Sequence, residues 1–167
     1  MKWIGISGSW QYQSAELNKD LLSDVDEIIA NGDGIVSGGA LGVDYLATQR
    51  MITGMVDWSK RVKIIIPTSF EIYRNHYFKR ADEGVITVEQ AKQLIEQLEK
   101  VKAAGCLIEM DFVDRPHKDT YYARNTEVVK ACDELWAYQI NGSNGTQNTV
   151  NTALEMGKPV KLKKYKV

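Results

Sequence analysis

The sequence predicts an α/β fold, a three-layer sandwich with a mostly parallel central sheet and helices on both faces. Three observations carry that expectation. Short apolar runs alternate with segments of helical periodicity along the chain, the pattern of successive strand–helix–strand units. One run, Val62-Lys63-Ile64-Ile65-Ile66-Pro67, is almost continuously apolar, as a strand covered on both faces must be. The turns leading from strands into helices are rich in glycine, above all Ser37-Gly38-Gly39-Ala40-Leu41-Gly42 and Asn141-Gly142-Ser143-Asn144-Gly145-Thr146.

Taken in order, Trp3 to Ser7 read as a buried first strand. The stretch 14–32 sets Leu17, Leu21, Leu22, Val25, Ile28 and Ile29 at helical spacing, with Gly32 as its stop. Residues 34–38 form the second strand and 43–52 the next helix; 62–67 are the third strand. Residues 69–84 mix aromatic and polar side chains and read as a short helix or a lid. Thr87 and Gln90 make a capping box for a helix whose apolar stripe is Val88, Ala91, Leu94, Ile95, Leu98 and Val101. Residues 106–113 are a strand or an extended connection. A helix over 119–133, a strand over 134–140, a loop over 141–146, a helix over 147–157 and a last strand over 159–165 complete the chain. At 167 residues with no internal repeat or low-complexity linker, one domain is expected, carrying a helical insertion at about 69–118.

A formal net charge of −1 offers no overall electrostatic case for nucleic acid. The basic exception is Lys158, Lys161, Lys163, Lys164 and Lys166, which read as a solvated last strand whose lysines discourage edge pairing. Cys106 and Cys132 form no CxxC and read as two buried thiols, while His76 and His117 have no metal-ligand spacing with them; no metal site is expected. No segment is apolar enough to span a membrane, and the start turns polar too soon for a signal peptide, so a cytoplasmic protein without a membrane partner is expected. The glycine motifs match neither GxGxxG nor GxxxxGK[ST], and no nucleophile elbow is present.

In a parallel sheet the strand-to-helix junctions all lie beyond the carboxyl ends of the strands, where such folds bind ligands. Three junctions meet that description: Ser7-Gly8-Ser9, the run from Ser37 to Asp44, and the run from Asn141 to Thr149. Glycine allows a tight turn and close approach of a ligand, and the following helix offers unpaired N–H groups to an anion. Any one of these loops also reads as a tight turn with a helix cap; together they point to phosphate. The candidate binding residues are Ser7, Gly8, Ser9, Ser37, Gly38, Gly39, Ala40, Gly42, Asp44, Arg124, Asn125, Gly142, Ser143, Gly145, Thr146 and Thr149. Arg124 suits a phosphate and Asn125 a base or sugar edge, though Arg124 is equally a surface residue paired with Glu127. Asp44 suits a ribose hydroxyl or Mg²⁺, or is an early-turn acid favouring the helix dipole. The aromatic run Phe70, Tyr73, His76, Tyr77 and Phe78, with Arg74, Lys79 and Arg80, reads as a lid, a nucleic-acid patch or a satellite hydrophobic cluster. Of the tryptophans, Trp10 alone follows a cleft loop.

The segments 37–47, 123–138 and 141–160 resemble the SLOG superfamily of Rossmann-like proteins. That group includes the DNA-processing (Smf/DprA) family, the LOG-type nucleoside-monophosphate phosphoribohydrolases and small stand-alone members of unassigned activity, which this chain resembles most. The resemblance covers the chain apart from about 69–118. It implies a Rossmann-like sandwich, a homo-oligomer, and a cleft for a nucleotide or nucleotide-derived phosphorylated ligand. Gly38, Gly39 and Gly42 correspond to the family's first glycine motif, Arg124 to its helix arginine, and Gly145 with Thr146 to its phosphate loop. The alternatives are a LOG-like phosphoribohydrolase and a DprA-like single-stranded nucleic-acid binder, the nucleic-acid partner being disfavoured by the charge. The LOG-type loop ends in a catalytic Glu, whereas this loop ends in Asn148 and Thr149, so no catalytic residue is assigned. Asp44 and Glu71 are the carboxylates that would have to replace it. No cofactor beyond a nucleotide ligand is implied.

Overall fold

The computed structural model describes all residues, 1–167. Its elements are β1 (Trp3–Gly8), α1 (Ala15–Ala30), β2 (Gly34–Ser37), α2 (Val43–Gly54), a 3-10 turn (Trp58–Lys60), β3 (Val62–Thr68), α3 (Phe70–Asp82), α4 (Val88–Ala103), β4 (Leu107–Phe112), α5 (Lys118–Ala131), β5 (Glu134–Ile140), α6 (Asn144–Glu155) and β6 (Val160–Tyr165). The helix starts are set locally. Ser14 accepts from Leu17 N–H at 3.1 Å, Ser69 from Ile72 N–H at 3.3 Å and Thr87 from Gln90 N–H at 3.0 Å.

The six strands form one sheet in the order β4-β3-β2-β1-β5-β6, every neighbouring pair parallel. Strand alternation sorts side chains onto two faces. Ile4, Ile6, Ile35, Ile64, Ile66, Trp136, Tyr138 and Ile140 join the larger core with α1, α2, α3 and α4. Val36, Ile65, Leu135 and Ala137 face the other way, onto α5 and α6. The chain first steps outward from β1 to β4. It then returns through α5 to the far side of β1. With right-handed crossovers, that reversal puts the returning helix on the opposite face. The sheet therefore has a switch point between β1 and β5, where a cleft opens at the carboxyl ends.

The two segments left open by the sequence take regular form. Residues 70–82 are a full helix whose Tyr73 and Tyr77 enter the larger core, not a satellite cluster. Residues 107–112 are an edge strand paired to β3. Within 69–118, therefore, α3 and α4 pack on the common core and β4 extends the common sheet. The β3–β4 register shifts between Ile66 and Thr68, the site of Pro67, which has no N–H for the ladder. Thr68 Oγ1 bonds to Phe112 O there at 2.6 Å.

The lysine-rich last strand is only partly solvated. Lys161 and Lys163 turn inward to the buried carboxylate of Asp24, at 3.3 and 2.9 Å, which also accepts from Tyr138 Oη–H at 2.7 Å. Cys106 and Cys132 are buried and unpaired. No helix is long and apolar enough to cross a membrane.

Candidate functional site

A cleft of about 280 Å³ lies over the carboxyl ends of β1 and β5 and is walled by the loops that follow them, by the loop after β2, and by α3 and α5. Ser7, Gly8, Ser9, Gly38, Ala40, Asp44, Arg124, Asn125, Ser143, Gly145, Thr146 and Thr149 line it. Ser37, Gly39, Gly42 and Gly142 do not, and the reasons are steric. Ser37 is fully buried at the end of β2 and its Oγ has no hydrogen-bond partner. Gly39 and Gly42 have φ of +67° and +74°, which glycine tolerates best. A Cβ on Gly39 would meet Ile66 Cγ2 at 2.9 Å, and one on Gly42 would meet Ser9 O at 2.4 Å. These glycines let the loop pack against β3 and against the Ser9 backbone, and they do not line the cleft. Gly142, at φ +66° after Asn141 at +51°, belongs to the turn behind α6.

Gly38 has a different function. A Cβ there would lie 2.5 Å from Arg124 Cζ. Its absence admits the guanidinium of α5 into the loop, where Nη1 donates to Gly38 O and Nε donates to Asn125 Oδ1 at 3.0 Å. The guanidinium also lies over the Tyr121 ring, 5.4 Å from its centroid. Arg124 is thus a buried residue of the cleft wall, not a surface partner of Glu127, which pairs with Lys130. Burial works against its charge, but the oxygens of Tyr73 and Asp44 hold its pKa above the ordinary arginine value.

Asp44 stands in the first turn of α2, buried, with Oδ2 accepting from Ala40 N–H at 3.3 Å. Burial raises its pKa to about 6, against the opposing pull of Arg124 and the loop N–H groups. Glu71, the other carboxylate the sequence offered, is exposed on α3 and outside the cleft.

The two glycine-rich junctions differ at the leading N–H of the helix. In the first, the leading N–H of α2, from Val43, is already bonded to Ser9 O at 3.2 Å. In the second, the first intrahelical bond runs from Gln147 N–H to Ser143 O at 3.1 Å. The N–H groups of Asn144, Gly145 and Thr146 therefore precede the hydrogen-bonded ladder. Ser143 makes no side-chain cap to them; its hydroxyl instead donates to Thr146 Oγ1 at 3.0 Å. Nothing lies within 4 Å of where a Gly145 Cβ would stand. Ser9 ties this end to β5, accepting from Ile140 N–H at 3.1 Å and lying 3.4 Å from Ser143 Oγ. An uncapped helix N-terminus with hydroxyls beside it is an anion-binding arrangement.

The mouth of the cleft holds Trp10, which the sequence set after a cleft loop, together with Gln11, Tyr12, Lys118 and Tyr122, which the sequence did not single out. Trp10, Gln11 and Tyr12 follow Ser9, with Trp10 and Tyr12 well exposed. Arg80 sits over the Trp10 ring at 5.4 Å, and Lys118 over Tyr122 at 5.5 Å. Tyr121 and Val128 were readable as wall residues, because spacings of three and four from Arg124 keep one helix face. Tyr77 and Arg80 lay within the aromatic run, so part of it does wall the cleft. His76 stands behind it, buried, with Nε2 3.3 Å from Tyr121 Oη; burial and the cations Arg80, Arg115 and Lys79 lower its pKa to about 4.

No family model matches the chain, and no curated protein does. Solved structures do. DNA processing protein A from Helicobacter pylori, described for its single-stranded DNA binding mode, superposes with a TM-score of 0.70 at 20% identity, over 96% of this chain and 64% of that one. The molybdenum cofactor binding protein from the phototrophic bacterium Rippkaea orientalis gives 0.59 at 19% identity, over 98% and 77%. DNA processing protein A from Streptococcus pneumoniae gives 0.53 at 17%, over 95% and 58%. This chain thus spans less than two thirds of either DNA processing protein. What it shares with all three is the fold, the Rossmann-like sandwich that the resemblance in its motifs implied.

Proposed function

We propose that the cleft binds a nucleotide or a nucleotide-derived phosphorylated ligand, its phosphate seated between Arg124 and the N-terminus of α6. The observation that carries this reading is the pairing of a buried guanidinium with an uncapped, glycine-opened helix start on one wall. Two of the five N–H donors of Arg124 are engaged by the protein, which leaves three for an anion. Among the lining residues the cations Arg80, Lys118 and Arg124 outnumber the one carboxylate, Asp44, on a chain whose net charge is −1. The local field therefore favours an anion where the whole molecule does not. The exposed rings of Trp10 and Tyr12 at the mouth suit a base.

Thermal-shift and calorimetric titration against a nucleotide panel test this. Binding is expected for at least one phosphorylated nucleoside and is expected to vanish in Arg124→Ala. A response unchanged in Arg124→Ala, or none to any nucleotide, rejects it.

A second reading takes the ligand as single-stranded nucleic acid. The aromatic and cationic pairs at the mouth are the side chains such binding uses, and the likeness to the Helicobacter pylori protein supports it. Tight, strongly salt-dependent binding of an oligonucleotide, with weak binding of mononucleotides, is the result that would favour it over the first.

A further inference from the structure

Arg124 and Asp44 are oppositely charged, 6% and 7% exposed, and line the same cleft. They do not pair, since no ion pair within 4.0 Å joins them. Each is held by the loop after β2, Arg124 through Gly38 O and Asp44 through Ala40 N–H. A buried carboxylate whose closest hydrogen bond is the long one from Ala40 N–H, with the Gly38 N–H and the Ser37 hydroxyl nearby, is poorly compensated, and it favours any ligand that donates to it. Such a carboxylate repels phosphate. A molecule filling this cleft therefore has to present an anion to Arg124 and neutral hydrogen-bond donors to Asp44.

We infer that Asp44 accepts hydrogen bonds from the sugar hydroxyls of the ligand, so that the site selects ribose phosphates over their deoxyribose counterparts. This rests on the reading of the cleft as a phosphate site. The chemistry fits in three respects. An ionised carboxylate is an acceptor only, with two oxygens that match two adjacent hydroxyls. A five-membered sugar carries its phosphate and its vicinal diol on one small frame, which lets one ligand answer both charges. Asp44 leaves the loop in the first turn of α2, while the open N–H groups belong to α6 across the switch point, so the two recognition elements face one cleft from different walls. Donors on a base would also satisfy a carboxylate. A sugar phosphate without a base separates the two.

The test is calorimetric titration of the whole protein with ribose 5-phosphate, 2-deoxyribose 5-phosphate, AMP, 2′-deoxy-AMP and inorganic phosphate. Each ribose compound is expected to bind at least about tenfold more tightly than its deoxy partner, the scale of a hydrogen bond to a charged group. In Asp44→Ala that ratio should fall to near one, while binding of inorganic phosphate persists or tightens; retained phosphate binding also reports that the variant is folded. Asp44→Asn, which keeps the shape, should show an intermediate ratio. Equal affinity of the native protein for ribose and deoxyribose compounds overturns the inference. So does a ribose preference that survives in Asp44→Ala, or one seen with AMP and absent with ribose 5-phosphate. If phosphate binds without sugar discrimination, only this inference falls. If none of the compounds binds, phosphate included, the phosphate reading falls and takes it along.

Discussion

At Asp44 the folded chain holds a carboxylate at a pKa of about 6, against 3.8 for the free side chain. A raised acid is happiest protonated, so between pH 4 and 6 the native state binds more protons than the unfolded one. Stability therefore falls as pH rises through that window, and the full cost remains above it. Arg124 faces Asp44 and stays charged throughout, so it does not move the window. Asp44→Asn is expected to stabilise the protein at pH 7–8 by about 2–3 kcal/mol, from roughly two units at about 1.4 kcal/mol each. The gain should disappear near pH 4. Denaturant unfolding across pH checks this; a variant no more stable than the parent at pH 8 rejects it. The glycines predict opposite outcomes. Gly38→Ala drives a methyl into Arg124 and should cost about 1–3 kcal/mol along with nucleotide binding. Gly145→Ala meets open space and should gain about 0.4–1 kcal/mol while weakening phosphate binding. Paired thermal midpoints with and without AMP distinguish them. Most of the residues that line the cleft were legible because each motif is short and contiguous. The reason for each glycine was not, since it depends on what packs against it: Arg124 on Gly38, Ile66 on Gly39, the Ser9 backbone on Gly42.

The last strand, β6, shows the same limit among elements. Its lysines suggested a solvated edge, and α1 supplied the reason they turn inward. Burial pushes the Asp24 carboxyl up, but bonds from Lys163 and Tyr138 and the charges of Lys161 and Lys163 more than reverse this, leaving its pKa below the ordinary value. A lowered acid stabilises the fold in full above its unfolded pKa and loses that contribution as pH falls through its lower folded pKa. Asp24→Ala should therefore destabilise the protein by about 1–3 kcal/mol at neutral pH, because Tyr138 Oη, almost wholly buried, loses its acceptor. The deficit should shrink in acid; urea midpoints at pH 3 and pH 7 decide. Helices α1 and α4 were legible to within a residue or two from periodicity and caps. The segments that became α3 and β4 were not. In α3 the buried face is made of Tyr73, His76 and Tyr77, whose polar atoms blur the apolar stripe. In β4 the exposed residues Ile108 and Phe112 alternate with acids on an edge, so burial gives no clear pattern.

For the molecule as a whole, charge and site point in different directions. A net charge of −1 offers no long-range attraction to an anion, so nucleotide binding should depend only modestly on salt, through Arg124, Arg80 and Lys118. Titrating AMP at low and physiological ionic strength tests this; a loss of a hundredfold or more over that range would point to a polyanion instead. The layer order was legible because each strand–helix unit announces itself locally. That the cleft opens between β1 and β5 was not, because it follows from where the chain reverses. That reversal also sets a schedule. The central strand β1 is made first, yet its partner β5 follows after about 130 residues; Gly38 waits 86 residues for Arg124, and Ser9 waits 131 for Ile140. A growing chain that has produced only β1, β2 and β3 holds the first glycine loop with neither the guanidinium nor the helix start. Such distant closures form late and slowly. A ligand held as proposed, between Arg124 and the start of α6, would engage only the finished fold, so its grip would stabilise the molecule as a unit and a half-made chain would have nothing with which to compete for it.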